Sequence, residues 1–309
     1  MPVAELPDSF LQNQQQLQTR SGSGREGGGE GAGEGAMASI SATTYGEGVY
    51  PPSDDTFLLV DALEQDLAAF SSGVGNESAE AAAKKSKLIS SPLPLDGRDV
   101  ASVVEVGSGS GFVSASVSVL LPGAYVVGTD LSQRACLATR ATLAAHAESC
   151  SGRSDVLGTE SLLGLRPGAP FDVVLVNPPY VPTSSEELRE SLSTLRERGG
   201  AAVPETEGAA FTLTWAGGLD GVEMTVAMLE AGLRALAAAG GRLYLIVVQE
   251  NQPEELARRA QDVWRGVWAD RGRRPPRLAW AVAVQTRASN ELLSVLRFVS
   301  TELEEEEEF

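Results

Sequence analysis

Histidine is almost missing from this 309-residue sequence: His146 is the only one. That leaves little scope for imidazole acid–base catalysis, so the chemistry should need little proton shuttling. Cysteine is nearly as scarce. Cys136 and Cys150 stand fourteen positions apart and form no CxxC pair, so no zinc ligand set can be assembled. They read as buried thiols in a reducing compartment. No apolar run approaches ~20 residues, so no transmembrane helix is expected. The opening Met1-Pro2-Val3-Ala4-Glu5 lacks the charged-then-apolar plan of a signal peptide. Basic residues are outnumbered: 24 Lys and Arg face 42 Asp and Glu, a net charge of −18. Proteins that bind duplex DNA alone usually present a basic face to the phosphates, so this balance argues against free nucleic acid as the substrate. The expectation is a cytoplasmic protein with possible access to the nucleus.

What is present divides into tails and a patterned middle. Residues 1–44 are low-complexity, with Gln14-Gln15-Gln16 and a Gly/Glu/Ser stretch from Ser21 to Gly35, and read as a disordered tail. Residues 301–309 read as a solvated acidic tail. The domain lies between, at 45–300, with polar insertions expected at about 71–99 and 183–206. Strand and helix patterns alternate through it, which implies an α/β fold with a parallel sheet covered on both faces. The last two strands, Leu278 to Val284 and Leu292 to Val299, have no helix between them and should pair as an antiparallel hairpin.

Three motifs carry chemistry. The first is Glu105-Val106-Gly107-Ser108-Gly109-Ser110-Gly111, joining a buried strand to a helix. A dinucleotide fingerprint places its third glycine or an alanine three residues after the second. Here that position is Phe112, the third glycine comes one residue early, and Glu105 stands two before Gly107. This spacing is similar to the S-adenosylmethionine loop. Asp130, ending the next strand, can accept both ribose hydroxyls of any adenosine cofactor. Asp155, placed at the end of a weak third strand, would reach the adenine amino group or else be a loop acid. The last motif, Asn177-Pro178-Pro179-Tyr180, follows the strand Phe171 to Val176. The Asn177 side-chain oxygen and the Pro178 carbonyl can each accept one N–H of a target amine. Pro179 stiffens the loop, and Tyr180 offers a ring face to a planar group. A plain strand-terminating turn would share this sequence.

Taken together, Tyr50 to Phe57, Glu105 to Gly111, Thr129-Asp130-Leu131, Asn177 to Tyr180, Trp215 to Gly221, Glu250-Asn251 and Glu291 to Leu296 resemble the HemK-type N5-glutamine methyltransferases of translation release factors, eukaryotic and archaeal branch. The resemblance implies a doubly wound, Rossmann-like, seven-stranded class I methyltransferase sheet, mostly parallel with a C-terminal antiparallel hairpin. It implies S-adenosylmethionine held by Thr56, Glu105, Gly107, Gly109, Asp130, Leu131, Asp155, Val156 and Asn177. Asn177, Pro178, Pro179 and Tyr180 would hold the glutamine of a Gly-Gly-Gln loop. The family also implies a small zinc-binding activator subunit as heterodimer partner, docked near the third strand. Adenine in DNA and lysine on histones are the rival substrates of the same tetrad.

Overall fold

The computed structural model describes residues 48–71, 87–88, 93–165, 170–288 and 290–301, with Ile40, Thr43 and Gly46. Most of the 1–44 tail, nearly all of the acidic tail, and most of the first insertion up to residue 92 lie outside the described residues. In chain order the strands are β1 (Lys87–Leu88), β2 (Ser102–Val106), β3 (Tyr125–Asp130), β4 (Ser154–Gly158), β5 (Val173–Val176), β6 (Val181–Pro182), β7 (Ala216–Gly218), β8 (Arg242–Val248), β9 (Arg277–Ala288) and β10 (Glu291–Thr301). The helices are α1 (Asp54–Ser71), α2 (Phe112–Leu120), α3 (Gln133–Ala145), α4 (Ala147–Cys150), α5 (Ser185–Glu197), α6 (Pro204–Thr212), α7 (Glu223–Ala235) and α8 (Pro253–Asp270).

Contiguous valine and leucine runs make strands buried on both faces, and they occupy the centre of the sheet. Its order is β1-β9-β10-β8-β5-β2-β3-β4. From β8 to β4 every pairing is parallel, while β10 enters antiparallel between β8 and β9. The expected hairpin and seven-stranded sheet are therefore present. The two-residue β1, from the first insertion, adds an eighth strand at one edge. Helix α1 packs on α2 through an edge-on contact of Phe57 with Phe112, ring centroids 5.2 Å apart. On the other face α8 buries Trp264 and Trp268 beside α7.

The third strand needs correction. It was expected to finish at Asp155, but it begins at Ser154 and runs to Gly158, opposite Asp130. Val156 is its buried apolar residue, and Asp155 faces solvent at the level of Val127. The second insertion is also more ordered than its polarity suggested. Ser184 caps α5 by accepting from the Glu187 N–H at 3.1 Å. Leu188, Leu192 and Leu195 give this helix a narrow apolar stripe at helical spacing.

One buried ionic network ties α1 to the C-terminal strands. Asp66, 1 % exposed, accepts from Arg297 Nη1 at 2.6 Å, Arg242 Nη1 at 3.2 Å, the Tyr244 hydroxyl at 2.7 Å and the Leu93 N–H at 2.7 Å. Arg242 also donates to the Leu93 and Pro94 carbonyls, so the end of the first insertion is held by the same group. Asp66→Ala would remove the carboxylate that two buried guanidinium groups share. The expected cost is about 3–5 kcal/mol, read as a lowered midpoint in denaturant unfolding. A variant within 1 kcal/mol of wild type, at roughly the error of such measurements, would show the network to be dispensable.

Candidate active site

The sheet turns outward in opposite directions from β2: the chain first builds β3 and β4, then returns to place β5 on the other side. Ligands bind outside the carboxyl ends of strands at such a switch point. Here the glycine loop leaves β2, and the Asn-Pro-Pro-Tyr tetrad leaves β5. Val106 and Val176 are paired in register, so Gly107 and Asn177 begin side by side.

Thr56, Glu105, Gly107, Gly109, Asp130, Leu131 and the whole tetrad line one cavity. Asp155 and Val156 are not among its lining residues. Both expectations fail for one reason, the position of the strand: they sit three and two residues before its carboxyl end. The acidic residue beyond that end is Glu160, which accepts from Arg196 Nε of α5 at 2.7 Å. Gly158, the last residue of the strand, was the available sign of where it stops.

The glycine loop is shaped by the protein and by the space it leaves. Gly111 has φ +80°, and a side chain there would come within 2.6 Å of the Thr139 Cα. A Cβ on Gly109 would enter open space on the cavity side. Gly107 and Ser108 donate to the Thr129 carbonyl at 2.8 and 2.9 Å, which holds the loop against β3. Asp130 accepts from the Gly109 N–H at 3.1 Å and the Ser132 N–H at 2.8 Å, one on each oxygen. Each carboxylate oxygen keeps capacity for a hydroxyl. Burial raises the Asp130 pKa, and these backbone donors oppose the rise. Glu105 is buried behind the loop, with the Ser114 hydroxyl donating to it. Burial pushes its carboxyl up to about 8, with the Asp130 charge adding to the shift.

At the other end, Asn177 Oδ1 is buried and has no hydrogen-bond partner among the described residues. The Trp215 Nε1–H is in the same condition and belongs to the same cavity lining. Trp215 reaches this place through the small parallel sheet: the Val181 N–H, one residue past the tetrad, donates to its carbonyl at 3.0 Å. Gly221 closes the segment against the tetrad. Its φ is +71°, and a Cβ would lie 2.1 Å from the Tyr180 carbonyl oxygen. Asn251, 1 % exposed, clasps both pieces by donating to the carbonyls of Gly221 and Asp220 at 3.3 Å and Tyr180 at 3.5 Å. The single histidine stays outside, its ring against the Thr142 carbonyl.

The second insertion, with the residues just after it, forms a wall of this cavity, which its composition did not reveal. Leu195 of α5, Ala210 of α6 and the following Leu213 and Thr214 line it. The Gln133 N–H donates to the Gly200 carbonyl at 2.8 Å, and ion pairs from Arg196 to Glu160 and Arg134 to Glu207 fasten the two helices to the cofactor side.

A sheet of this order, with a glycine loop after β2, an acid ending β3 and Asn-Pro-Pro-Tyr after β5, defines a class I S-adenosylmethionine-dependent methyltransferase. The residues fit that cofactor: the loop leaves room, Asp130 can take ribose hydroxyls, and Glu105 offers a carboxylate to a cation. Comparison with known proteins narrows the class. Residues 57–197 match the methyltransferase small domain family. The eRF1 methyltransferase catalytic subunit mtq2 of Schizosaccharomyces pombe is 30% identical over 212 residues, covering 67% of this chain and 75% of that protein. Methyltransferase HEMK2 of Mus musculus is 30% identical over 273 residues, covering 85% and 98%. The release factor glutamine methyltransferase of Chlorobaculum tepidum is 36% identical over 103 residues, covering 31% and 34%. The chain belongs to the family of the eRF1 methyltransferase catalytic subunit and HEMK2.

The Glu105 shift has a measurable consequence. Below pH about 8 the protein by itself holds Glu105 protonated. A cationic ligand favours the ionised form and lowers that pKa. Cofactor binding should therefore release a proton at neutral pH, tighten as pH rises toward about 8, and then level off. Calorimetric titration in buffers of different ionisation heat measures the proton, and Glu105→Gln should abolish it.

Proposed function

We propose that this chain methylates the side-chain amide nitrogen of the glutamine in the Gly-Gly-Gln loop of a translation release factor. One observation carries the choice of group. Asn177 and Trp215 both line the cavity, and Asn177 Oδ1 and Trp215 Nε1–H are buried with no hydrogen-bond partner among the described residues. A carboxamide is their complement, with N–H donors on one atom and an acceptor oxygen on the other. A lysine ammonium has donors only and would leave the indole N–H unanswered. Adenine could satisfy the pair, but the chain's net charge of −18 gives no help against phosphates. The names of two relatives, eRF1 methyltransferase and release factor glutamine methyltransferase, support the same substrate.

S-adenosylmethionine supplies the methyl group on its sulfonium when bound. The protein's part is orientation and charge. An amide nitrogen is a weak nucleophile because its lone pair is delocalised. Asn177 Oδ1 and the Pro178 carbonyl accept its two N–H groups, aim the nitrogen at the methyl, and stabilise positive charge as it grows there. Trp215 distinguishes oxygen from nitrogen, so the amide enters in one of its two flipped orientations. Asn177→Ala should lower kcat about 10²-fold or more while leaving cofactor affinity near wild type. Asp130→Ala should weaken cofactor binding first. Methyl transfer from labelled cofactor to release factor, duplex DNA and histone separates the substrates. An Asn177→Ala enzyme at normal rate would reduce the tetrad to a turn.

A second subunit also belongs to this reading. Strand β4 is an edge of the sheet, and unpaired strand edges accept added strands. Leu137 on the adjacent α3 is 56% exposed and Tyr125 on β3 is 45% exposed. The S. pombe relative is itself called a catalytic subunit. A small zinc-binding activator fits this edge. Its co-expression should raise soluble yield and turnover, and full turnover by the chain alone would overturn the idea. A release-factor substrate also suits a cytoplasmic enzyme.

A further inference from the structure

We propose that Asp55 is a positioning residue for methyl transfer: its buried carboxylate fixes the Tyr180 hydroxyl, and with it the ring face offered to the target amide. This rests on the reading that the tetrad holds the target.

Asp55 stands in the first turn of α1 and is 2 % exposed. Five neutral donors surround it. Its Oδ1 accepts from the Thr56 N–H at 2.5 Å, the Thr56 hydroxyl at 3.0 Å and the Ser53 hydroxyl at 2.7 Å. Its Oδ2 accepts from the Tyr50 and Tyr180 hydroxyls, each at 3.2 Å. Acids are common in the first turn of a helix, but there they are usually solvated. Satisfying the helix end does not require burying the charge or turning one oxygen toward two phenols. The contact with Tyr180 crosses 125 residues of sequence and reaches the last member of the tetrad. Pro178 and Pro179 restrain the backbone before it, so the ring direction is left to the side-chain torsions, which the hydroxyl bond then holds. Burial, followed by the Asp55 charge, raises the pKa of both phenols well above the ordinary value, so they remain donors. The other oxygen binds Thr56, which lines the cavity beside the glycine loop. One carboxylate thus sets a wall of the substrate slot from a residue that also borders the cofactor.

The test compares Asp55→Ala, Asp55→Asn, Tyr180→Phe and the double variant Asp55→Ala/Tyr180→Phe in the chain with its activator. Cofactor Kd comes from calorimetry, and kcat and KM from release-factor methylation. Tyr180→Phe and Asp55→Ala should each lower kcat about 10- to 100-fold with cofactor Kd changed less than about 3-fold. The double variant should be no slower than the slower single one, because both remove the same bond. Asp55→Asn, which keeps an oxygen acceptor, should recover most of the rate. Tyr180→Phe leaves the helix end intact, so it decides the matter even if Asp55→Ala fails to fold. A normal rate in Tyr180→Phe, or additive losses in the double variant, would overturn the inference while leaving the activity assignment standing. Wild-type enzyme that leaves the release factor unmethylated would remove that assignment, and this inference with it.

Discussion

Helix α1 carries two buried carboxylates, and the architecture depends on both. Asp55 and Asp66 are eleven residues apart, about three turns, so they lie on nearly the same face. Asp66 is met by two arginines and a tyrosine from β8 and β10. Asp55 is met by neutral hydroxyls, two of them phenols on the cavity wall. A buried carboxylate is costly unless it is satisfied. The helix is therefore locked in position along its length: one end is tied to the antiparallel strands and the other to the reacting groups.

That anchoring serves a reaction in which the protein moves few protons. The chain's one histidine lies away from the cavity, and the cavity is furnished with acceptors, a donor and a hidden carboxylate. The glycine loop and Asp130 occupy one side of the switch point, while Asn177, Tyr180 and Trp215 occupy the other. Glu105 lies under the first group, its pKa pushed up to about 8 by burial. The Tyr180 carbonyl of the second group is clasped, together with those of Asp220 and Gly221, by Asn251, a residue visible in the sequence only as part of a resemblance. Preorganisation of this kind uses fixed dipoles in place of mobile acids and bases.

Two regions show where pattern reading fell short. The strand β4 has just one fully buried residue, Val156, so its apolar signal was too weak to fix its limits. Asp155 was consequently placed at an end that the strand does not reach until Gly158. In the second insertion, charged residues hid an amphipathic stripe. The Ser184 to Glu187 spacing and the leucines at 188, 192 and 195 were sufficient to indicate a capped helix. Nothing local indicated that α5 and α6 would close one wall of the cofactor cavity, because that depends on contacts with Leu131, Gln133 and Arg134 far back in the chain.

The sequence by itself determined the alternation of buried strands and helices, the terminal hairpin, the glycine loop, Asp130 and the tetrad. These are local signals: apolar runs set strands, glycine spacing sets a turn, and Asn-Pro-Pro ends a strand whatever surrounds it. Tertiary structure alone decided the register of β4 and hence the exclusion of Asp155 and Val156. It also decided the pairing of Trp215 with the end of the tetrad, and the convergence of Tyr50, Thr56 and Tyr180 on Asp55. Those facts rest on contacts between segments up to 125 residues apart. No short-range periodicity encodes which hydroxyl a buried carboxylate will meet; that follows only when the sheet order brings the carboxyl ends of its strands to one crevice.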